Sequence, residues 1–210
     1  LVIIPLASGM SFMSKAVWTV FYGYNELNSS IFSLLIFSQI PLAFCSVMVN
    51  TNQAMTNTKA TVTALLGSLF VKILLNVQMM KLFNMIGIEA YFATITLNII
   101  IDFIESIYLM REVWKKTKID FTLAIRSVIK TSLCTVIMLL GLSILNVFIP
   151  SYNASRLLSI LIMMLYAVVG IIIYFIMAYK SKTLTEILGE EFINKMFSKF
   201  KRFLPKSMVK

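Results

Sequence analysis

Three long stretches of the sequence contain no charged residue, and they restrict the fold more than any other feature. The stretches are 27–58, 131–155 and 157–179. A helix that crosses the hydrocarbon core of a bilayer needs about 20 apolar residues, so each stretch can span a membrane once. Hydrophobic residues make up 59% of the chain and charged residues 13%, whereas soluble domains have about 25% charged residues. This balance indicates a membrane protein.

Three further stretches are apolar apart from a few charges. Lys15 interrupts the first, Lys72 interrupts the second, and three acidic residues lie in the third. Strand-type alternation of apolar and polar residues is absent, which argues against a β-barrel. We therefore predict an all-α polytopic membrane protein with six transmembrane helices. Their approximate ranges are 1–22, 29–50, 61–82, 86–110, 127–149 and 156–179.

The predicted spans divide the chain into four parts. We expect residues 1–110 to hold four helices that build an interior, and 111–126 to form a basic cytoplasmic loop. Residues 127–180 should form two accessory transmembrane helices, and 181–210 a basic amphipathic cytoplasmic tail. Pro41 falls inside the second span, where it removes a backbone hydrogen bond and should kink the helix.

The net charge of +10 lies entirely in the second half of the chain. Residues 1–110 hold four basic and four acidic residues, which cancel. Lys and Arg near the ends of spans mark the cytoplasmic side, so the 111–126 loop and the tail should both be cytoplasmic. Positive-inside topology explains the basic excess, and nucleic acid is not an expected partner.

The tail has the pattern of an amphipathic helix. Apolar residues recur at helical spacing between Leu184 and Phe203, with basic residues on or near the other face. Thr183 and Glu186 form a capping-box pattern at its start, and Pro205 stops it. We expect this helix to bind anionic phospholipid at the membrane surface, the alternative being a disordered basic tail.

Polar residues recur at every third or fourth position in the first four predicted spans, so each span has one polar face. The last two spans show no such row. The four rows are Ser8, Ser11, Lys15 and Thr19; then Gln39, Ala43, Ser46 and Asn50; then Ala64, Ser68, Lys72 and Asn76; then Thr94, Asn98, Asp102 and Glu105.

Ionisable groups inside a membrane span are costly and usually face a bundle interior or an aqueous cavity. Ordinary helix packing explains the small and weakly polar positions equally well. Asp102 and Glu105 can also reach the interface or pair with Arg111. The candidate substrate-path residues are Lys15, Gln39, Lys72, Asn76, Asn98, Asp102 and Glu105.

The chain offers no catalytic constellation. It contains no His and only two Cys, both in apolar runs, which argues against a metal site. None of the seven Gly forms a phosphate-binding loop. We therefore predict no enzymatic activity, no catalytic residue, no metal and no cofactor.

Two segments resemble the multidrug/oligosaccharidyl-lipid/polysaccharide exporter superfamily. The first is LVIIPLASGMSFMSKAVWTVFYG, at 1–23. The second is LGSLFVKILLNVQMMKLFNMIGIEAYFATI, which resembles the family's "G-x-x-x-K-x-x-x-N … I-x-G-x-x-x-A-T" run. Within the superfamily, the chain most resembles the branch of the sporulation-type and lipid II flippase-like members. The matching positions are Gly67, Lys72, Asn76, Gly87, Ala93 and Thr94.

The resemblance implies the last six of fourteen helices, in a transporter whose two six-helix lobes rock around a central cavity. The chain begins at Leu1 within an apolar stretch that lacks signal-peptide features, so we expect a fragment without its N-terminal part. The family's cationic substrate-binding residues lie mainly in that part. Lys15 and Lys72 are candidates only through their own surroundings.

The expected function is translocation of a lipid-linked, diphosphate-bearing saccharide across the bacterial cytoplasmic (inner) membrane by alternating access. Mid-membrane Lys would attract the anionic head group. A cation-coupled multidrug antiporter is the alternative within the superfamily, with Asp102 or Glu105 as the acidic site and a coupling ion as a further partner. A membrane enzyme of glycan assembly is a third class, which the missing catalytic residues disfavour, and a non-transporting membrane subunit of glycan assembly is a fourth.

Lys72 also has a structural interpretation. A rise of about 1.5 Å per residue places Lys72 about 16 Å and Asp102 about 12 Å from the cytoplasmic side. If their polar faces meet, the two charges should pair, which would make Lys72 structural rather than a phosphate ligand. The sequence leaves both interpretations open.

The topology is testable with an impermeant thiol reagent. Cys substituted for Tyr152 should react from outside the cell, because Lys and Arg concentrate at the opposite ends of the helices. Cys substituted for Lys116 should react only after the membrane is opened. Labelling of the Lys116 position from outside would show that the membrane topology is the inverse of the one proposed.

Overall fold

The computed structural model describes residues 2–150 and 156–181. The predicted tail helix lies outside this part of the chain. Within the described ranges the protein is helical, and no strand is present. The helices are α1 (Ile3–Phe12), α2 (Ser14–Tyr22), α3 (Glu26–Phe37), α4 (Gln39–Ala54), α5 (Thr58–Met85), α6 (Ala90–Thr117), α7 (Thr122–Phe148) and α8 (Arg156–Lys180).

Five helical segments are long and apolar enough to cross a membrane, which confirms the all-α polytopic prediction. They are α5, α6, α7, α8 and the combined α3–α4 segment, Glu26–Ala54. The predicted first span is instead divided into α1 and α2, of which α1 is a short apolar helix. The count of six spans is therefore approximate.

Two one-residue interruptions divide the N-terminal helices. α1 and α2 meet at Met13, where Met13 N–H still bonds to Gly9 O at 3.1 Å. α3 and α4 meet at Ser38, close before Pro41. Proline has no N–H to donate and its ring crowds the preceding turn, so the interruption falls where the sequence predicts a kink.

The connectors are tight turns. Gly23 and Gly87 follow α2 and α5 with φ of 86° and 78°, a conformation that glycine adopts without strain. Asn25 caps α3 by accepting a hydrogen bond from Asn28 N–H. Asp120 accepts bonds from the backbone N–H and the hydroxyl of Thr122, which holds the pKa of its carboxyl below the usual value.

The predicted 111–126 loop is wrong in extent. α6 continues through Thr117 and α7 begins at Thr122, which leaves only residues 118–121 between them. Residues 111–117 include four charged residues, Arg111, Glu112, Lys115 and Lys116, which are good helix formers, so the helix extends past the apolar stretch. Hydropathy marks where a span leaves the membrane, whereas caps mark where a helix ends. Here the cap is Lys118, in the left-handed conformation with φ of 51°.

The helices pack side by side in a row. At one side of the row α5 packs on α6, and α6 packs in turn on α3 and α4. α1 contacts α3, α4 and α7, and α8 packs against α2 and α7 at the other side. We call the end that holds residues 55–57 and 118–121 the basic end. The opposite end, which holds residues 23–25 and 86–89, is the turn end.

The two predicted accessory helices share the largest hydrophobic cluster with the N-terminal helices. Met13 and Val17 of the α1–α2 segment pack against Met138 and Leu142 of α7, and Tyr166 of α8 is fully buried among them. The two accessory helices thus pack closely on the N-terminal helices, although the sequence shows no polar row along 133–149. Buried Ser127, Thr131 and Thr135 form such a row nearer the start of α7.

Gly141 permits close approach of α7 and α8. A Cβ at this position would lie 2.7 Å from Ile173 Cδ1. Gly67 in α5 has open space around it, with no atom within 4 Å of a Cβ. Gly141 therefore lies in a contact between two helices, whereas Gly67 lies outside any such contact and serves as its control.

We expect Gly141→Leu to lower the thermal unfolding temperature in detergent, because a branched side chain at this position has to displace the side chain of Ile173. Overpacking of this kind costs about 1–3 kcal/mol. Gly67→Leu should leave the temperature unchanged or raise it, since helical Gly is unfavourable by about 1 kcal/mol. Equal effects of the two substitutions would contradict the packing of α7 on α8.

Candidate functional site

An ion pair joins α5 and α6 inside the apolar part of both helices. Lys72 Nζ lies 2.8 Å from Asp102 Oδ1, and the two side chains are 30% and 9% exposed. The offset in depth estimated from the sequence is thus within the reach of the lysine side chain. Of the two interpretations of Lys72, the structure shows the paired one.

Polar contacts continue from this pair toward the turn end. Thr94 Oγ1 donates a hydrogen bond to Asn76 Oδ1 at 2.9 Å, one helical turn beyond Lys72. Asn98 lies between these two levels on α6 and lines a cavity of about 210 Å³. We call this set the polar ladder: Lys72, Asn76, Thr94, Asn98 and Asp102.

Glu105 faces the other neighbour of α6. Its side chain is buried, with the residue 6% exposed, and lies near the thiol of Cys45 on α4. Its Oε1 has no hydrogen-bond partner. Buried polar atoms are normally hydrogen-bonded, so Glu105 is an exception in the described part of the chain.

An asparagine closes the contact between α4 and α6 at the basic end. Asn52 is fully buried, and its Nδ2 donates to the backbone oxygens of Met48 and Leu109 at 2.9 and 3.1 Å. Asn57 Nδ2 donates to Asn52 Oδ1 in turn. Leu109 O belongs to the next helix along the row, so Asn52 fixes the position of α4 on α6.

Lys15 lies apart from the polar ladder. Its Nζ is 3.0 Å from Glu26 Oε1, and the side chains are 39% and 70% exposed. Glu26 is in the first turn of α3, while Lys15 lies two turns before the end of α2. The short connector at Gly23 brings the two helix ends together.

A cavity of about 640 Å³ opens beside Lys15, between the α1–α2 segment and α3. Phe92 of α6 and Asn146 of α7 also line it. Ser11 and Ser33 bridge its wall, because their hydroxyl oxygens lie 2.7 Å apart. We call this space the turn-end cavity.

The seven predicted residues therefore divide into four groups. Lys72, Asn76, Asn98 and Asp102 lie together in the polar ladder, and Lys15 lines the turn-end cavity. Glu105 packs toward α4. Gln39 joins neither site, because it is exposed in the first turn of α4 and its amide reaches only the backbone oxygen of Leu35 at 3.4 Å.

Sequence reasoning missed two partners. Glu26 lies between the first two predicted spans, and a lysine two turns before a tight turn with an acid just after it is a signal for pairing. Cys45 lies in an apolar run, and no sequence signal places its thiol beside Glu105. Among residues 2–150 and 156–181, no group of three His, Cys, Asp or Glu could hold a metal ion.

No protein-family model, no curated protein and no solved structure matches this chain. The arrangement of the side chains therefore carries the functional argument.

The Lys72–Asp102 pair is testable by a double-mutant cycle. Lys72→Met and Asp102→Leu should each lower the folded yield, because the remaining charge is stranded in an apolar contact, at about 3 kcal/mol. The double variant should recover most of the yield, since neither charge remains.

Two controls accompany this cycle. Lys115→Met removes one partner of the exposed Lys115–Glu112 pair, which should cost less than about 1 kcal/mol. Glu105→Gln should fold at least as well as the natural protein, because Glu105 Oε1 has no hydrogen-bond partner to lose. Additive losses in the double variant would show that Lys72 and Asp102 do not depend on each other.

Proposed function

We propose that this chain is part of a flippase that translocates a lipid-linked, diphosphate-bearing saccharide across the bacterial cytoplasmic membrane by alternating access. The observation that carries the proposal is the polar ladder, a charge pair and an amide–hydroxyl bond inside two membrane-spanning helices. Ionisable residues in a span are expensive and tend to mark transport pathways. The sequence resemblance to polysaccharide exporters gives the substrate class.

The ladder modifies the role expected of Lys72. Because Asp102 already neutralises its ammonium group at 2.8 Å, Lys72 serves to make a polar, hydrogen-bonding surface rather than a bare positive charge. A saccharide needs such a surface, since it exchanges hydrogen bonds with water for bonds with the protein. Asn76, Asn98 and Thr94 supply amide and hydroxyl groups along the same line.

The orientation follows from the basic residues. The basic end is cytoplasmic and the turn end faces outward, because Lys115, Lys116 and Lys118 lie at the former. The C-terminal tail is then cytoplasmic, where its basic residues meet anionic phospholipid.

A second candidate function is cation-coupled multidrug antiport, favoured by Glu105. This buried carboxyl group has one oxygen without a hydrogen-bond partner, which gives a cationic substrate an acceptor inside a span. Efflux of a cationic dye from vesicles, driven by a pH gradient and lost in Glu105→Gln, would support this candidate over the flippase.

The test of the flippase is translocation by the natural protein in proteoliposomes. A fluorescent lipid-linked saccharide diphosphate in the outer leaflet should become inaccessible to an impermeant quencher faster than in protein-free vesicles. A fluorescent phosphatidylcholine in the same vesicles is the control and should not move faster. No acceleration, or equal acceleration of both lipids, would contradict the proposal.

Substitutions in the ladder connect the assay with the structure. The double variant Lys72→Met, Asp102→Leu should retain folding but removes the ion pair from the polar surface, so we expect translocation to fall about ten-fold or more. This factor corresponds to about 1.4 kcal/mol in the barrier. Unchanged translocation by the folded double variant would show that the polar ladder does not line the translocation path.

A further inference from the structure

The turn-end cavity has the size and the lining of a ligand site. Its volume of about 640 Å³ lies within the range of about 300–1,000 Å³ that is typical of small-molecule pockets. Such pockets combine apolar and aromatic walls with a few placed polar groups. This cavity has the aromatic rings of Phe12, Phe37 and Phe92 together with one ammonium group, that of Lys15.

We propose that the turn-end cavity binds the diphosphate–saccharide head group of the transported lipid, with Lys15 as its phosphate contact. This inference rests on the proposed function, to which it adds a binding site outside the polar ladder.

The charge of Lys15 is exchangeable. The Glu26 side chain is 70% exposed and that of Lys15 is 39% exposed, and such exposed ion pairs contribute little to stability. A diphosphate carries more negative charge than one carboxylate and offers several acceptor oxygens to the ammonium group. It can therefore displace Glu26. The Lys72 pair is different, because Asp102 is 9% exposed and has α5 packed over it.

Three of the serine hydroxyls that line the cavity already make hydrogen bonds within the protein and can still accept another. Ser11 and Ser33 bond to each other and to each other's backbone oxygens, and Ser30 donates to Glu26 O. A hydroxyl oxygen has two acceptor lone pairs. Each of these serines can still accept a hydrogen bond from a saccharide hydroxyl, and the cavity does not have to collapse when it is empty.

The position of the cavity suits a head group. Lys15 lies seven residues before the end of α2 at Tyr22, which is about 10 Å at 1.5 Å per residue. A diphosphate bound there sits just below the turn end of the helices. The lipid chain can then remain in the bilayer beside the apolar outer faces.

The experiment measures equilibrium binding of a short-chain prenyl diphosphate saccharide to the natural protein in detergent. We expect Lys15→Gln to weaken the Kd about ten-fold, a factor equal to about 1.4 kcal/mol. We expect Glu26→Gln to strengthen binding or leave it unchanged, because it removes the carboxylate that competes with the diphosphate. A purely structural Lys15–Glu26 pair would instead weaken binding in both variants, and that result would overturn the inference.

Further variants guard against a folding defect in Lys15→Gln. Ser30→Phe places a ring in the cavity at an exposed helix position and should abolish binding while the protein stays folded. The matched control is Lys115→Gln, which alters an exposed pair at the basic end and should leave the Kd unchanged. Binding by folded Ser30→Phe with the natural Kd would overturn the inference.

Two comparison ligands identify the head group. The free saccharide without diphosphate should bind at least ten-fold more weakly, and phosphatidylglycerol should not compete. Competition by phosphatidylglycerol at equal concentration would show a general anionic-lipid site and overturn the inference. Translocation in proteoliposomes is measured separately. Normal translocation by Lys15→Gln would contradict the proposed binding site but not the proposed flippase function. Failure of the natural protein to translocate the lipid would contradict the flippase function itself.

Discussion

The hydrocarbon interior offers no water to a polar side chain, so each charge in a span must find its partner within the protein. Lys72 and Asp102 meet this requirement together, and in doing so they fix α5 against α6 at a single register. One turn away, Thr94 and Asn76 make a second bond at the same interface. A slip of one residue would break both contacts, so the polar ladder determines the register of the contact between α5 and α6.

The same requirement distinguishes Lys15 from Lys72. Lys72 is held by a buried carboxylate in the middle of a span, whereas Lys15 meets an exposed carboxylate near the turn end. Strength of pairing therefore falls from the interior toward the surface. A charge that binds a transient ligand belongs where its partner can be displaced, which is why we assign the diphosphate contact to Lys15.

Periodicity predicted part of this arrangement, because residues three and four apart share a face of a helix. Spacing and depth place Lys72 and Asp102 within reach of each other but leave their pairing open, whereas Pro41 predicts the interruption found at Ser38. Neither the Glu105–Cys45 contact nor the burial of Asn52 could be predicted. Both depend on how α4 is rotated toward α6, which the small and apolar residues of α4 leave undetermined until the helices pack.

Tyr166 links the turn-end cavity to the accessory helices. Its ring stacks on Phe12, with 6.2 Å between the ring centroids, and its hydroxyl donates to Asn146 Oδ1 and to Ile149 O. Phe12 and Asn146 both line the cavity. A head group that displaces either side chain must therefore disturb a fully buried tyrosine of α8. Because packed cores shift between discrete arrangements rather than deform gradually, binding in the cavity and the packing of α7 and α8 on α2 should change together.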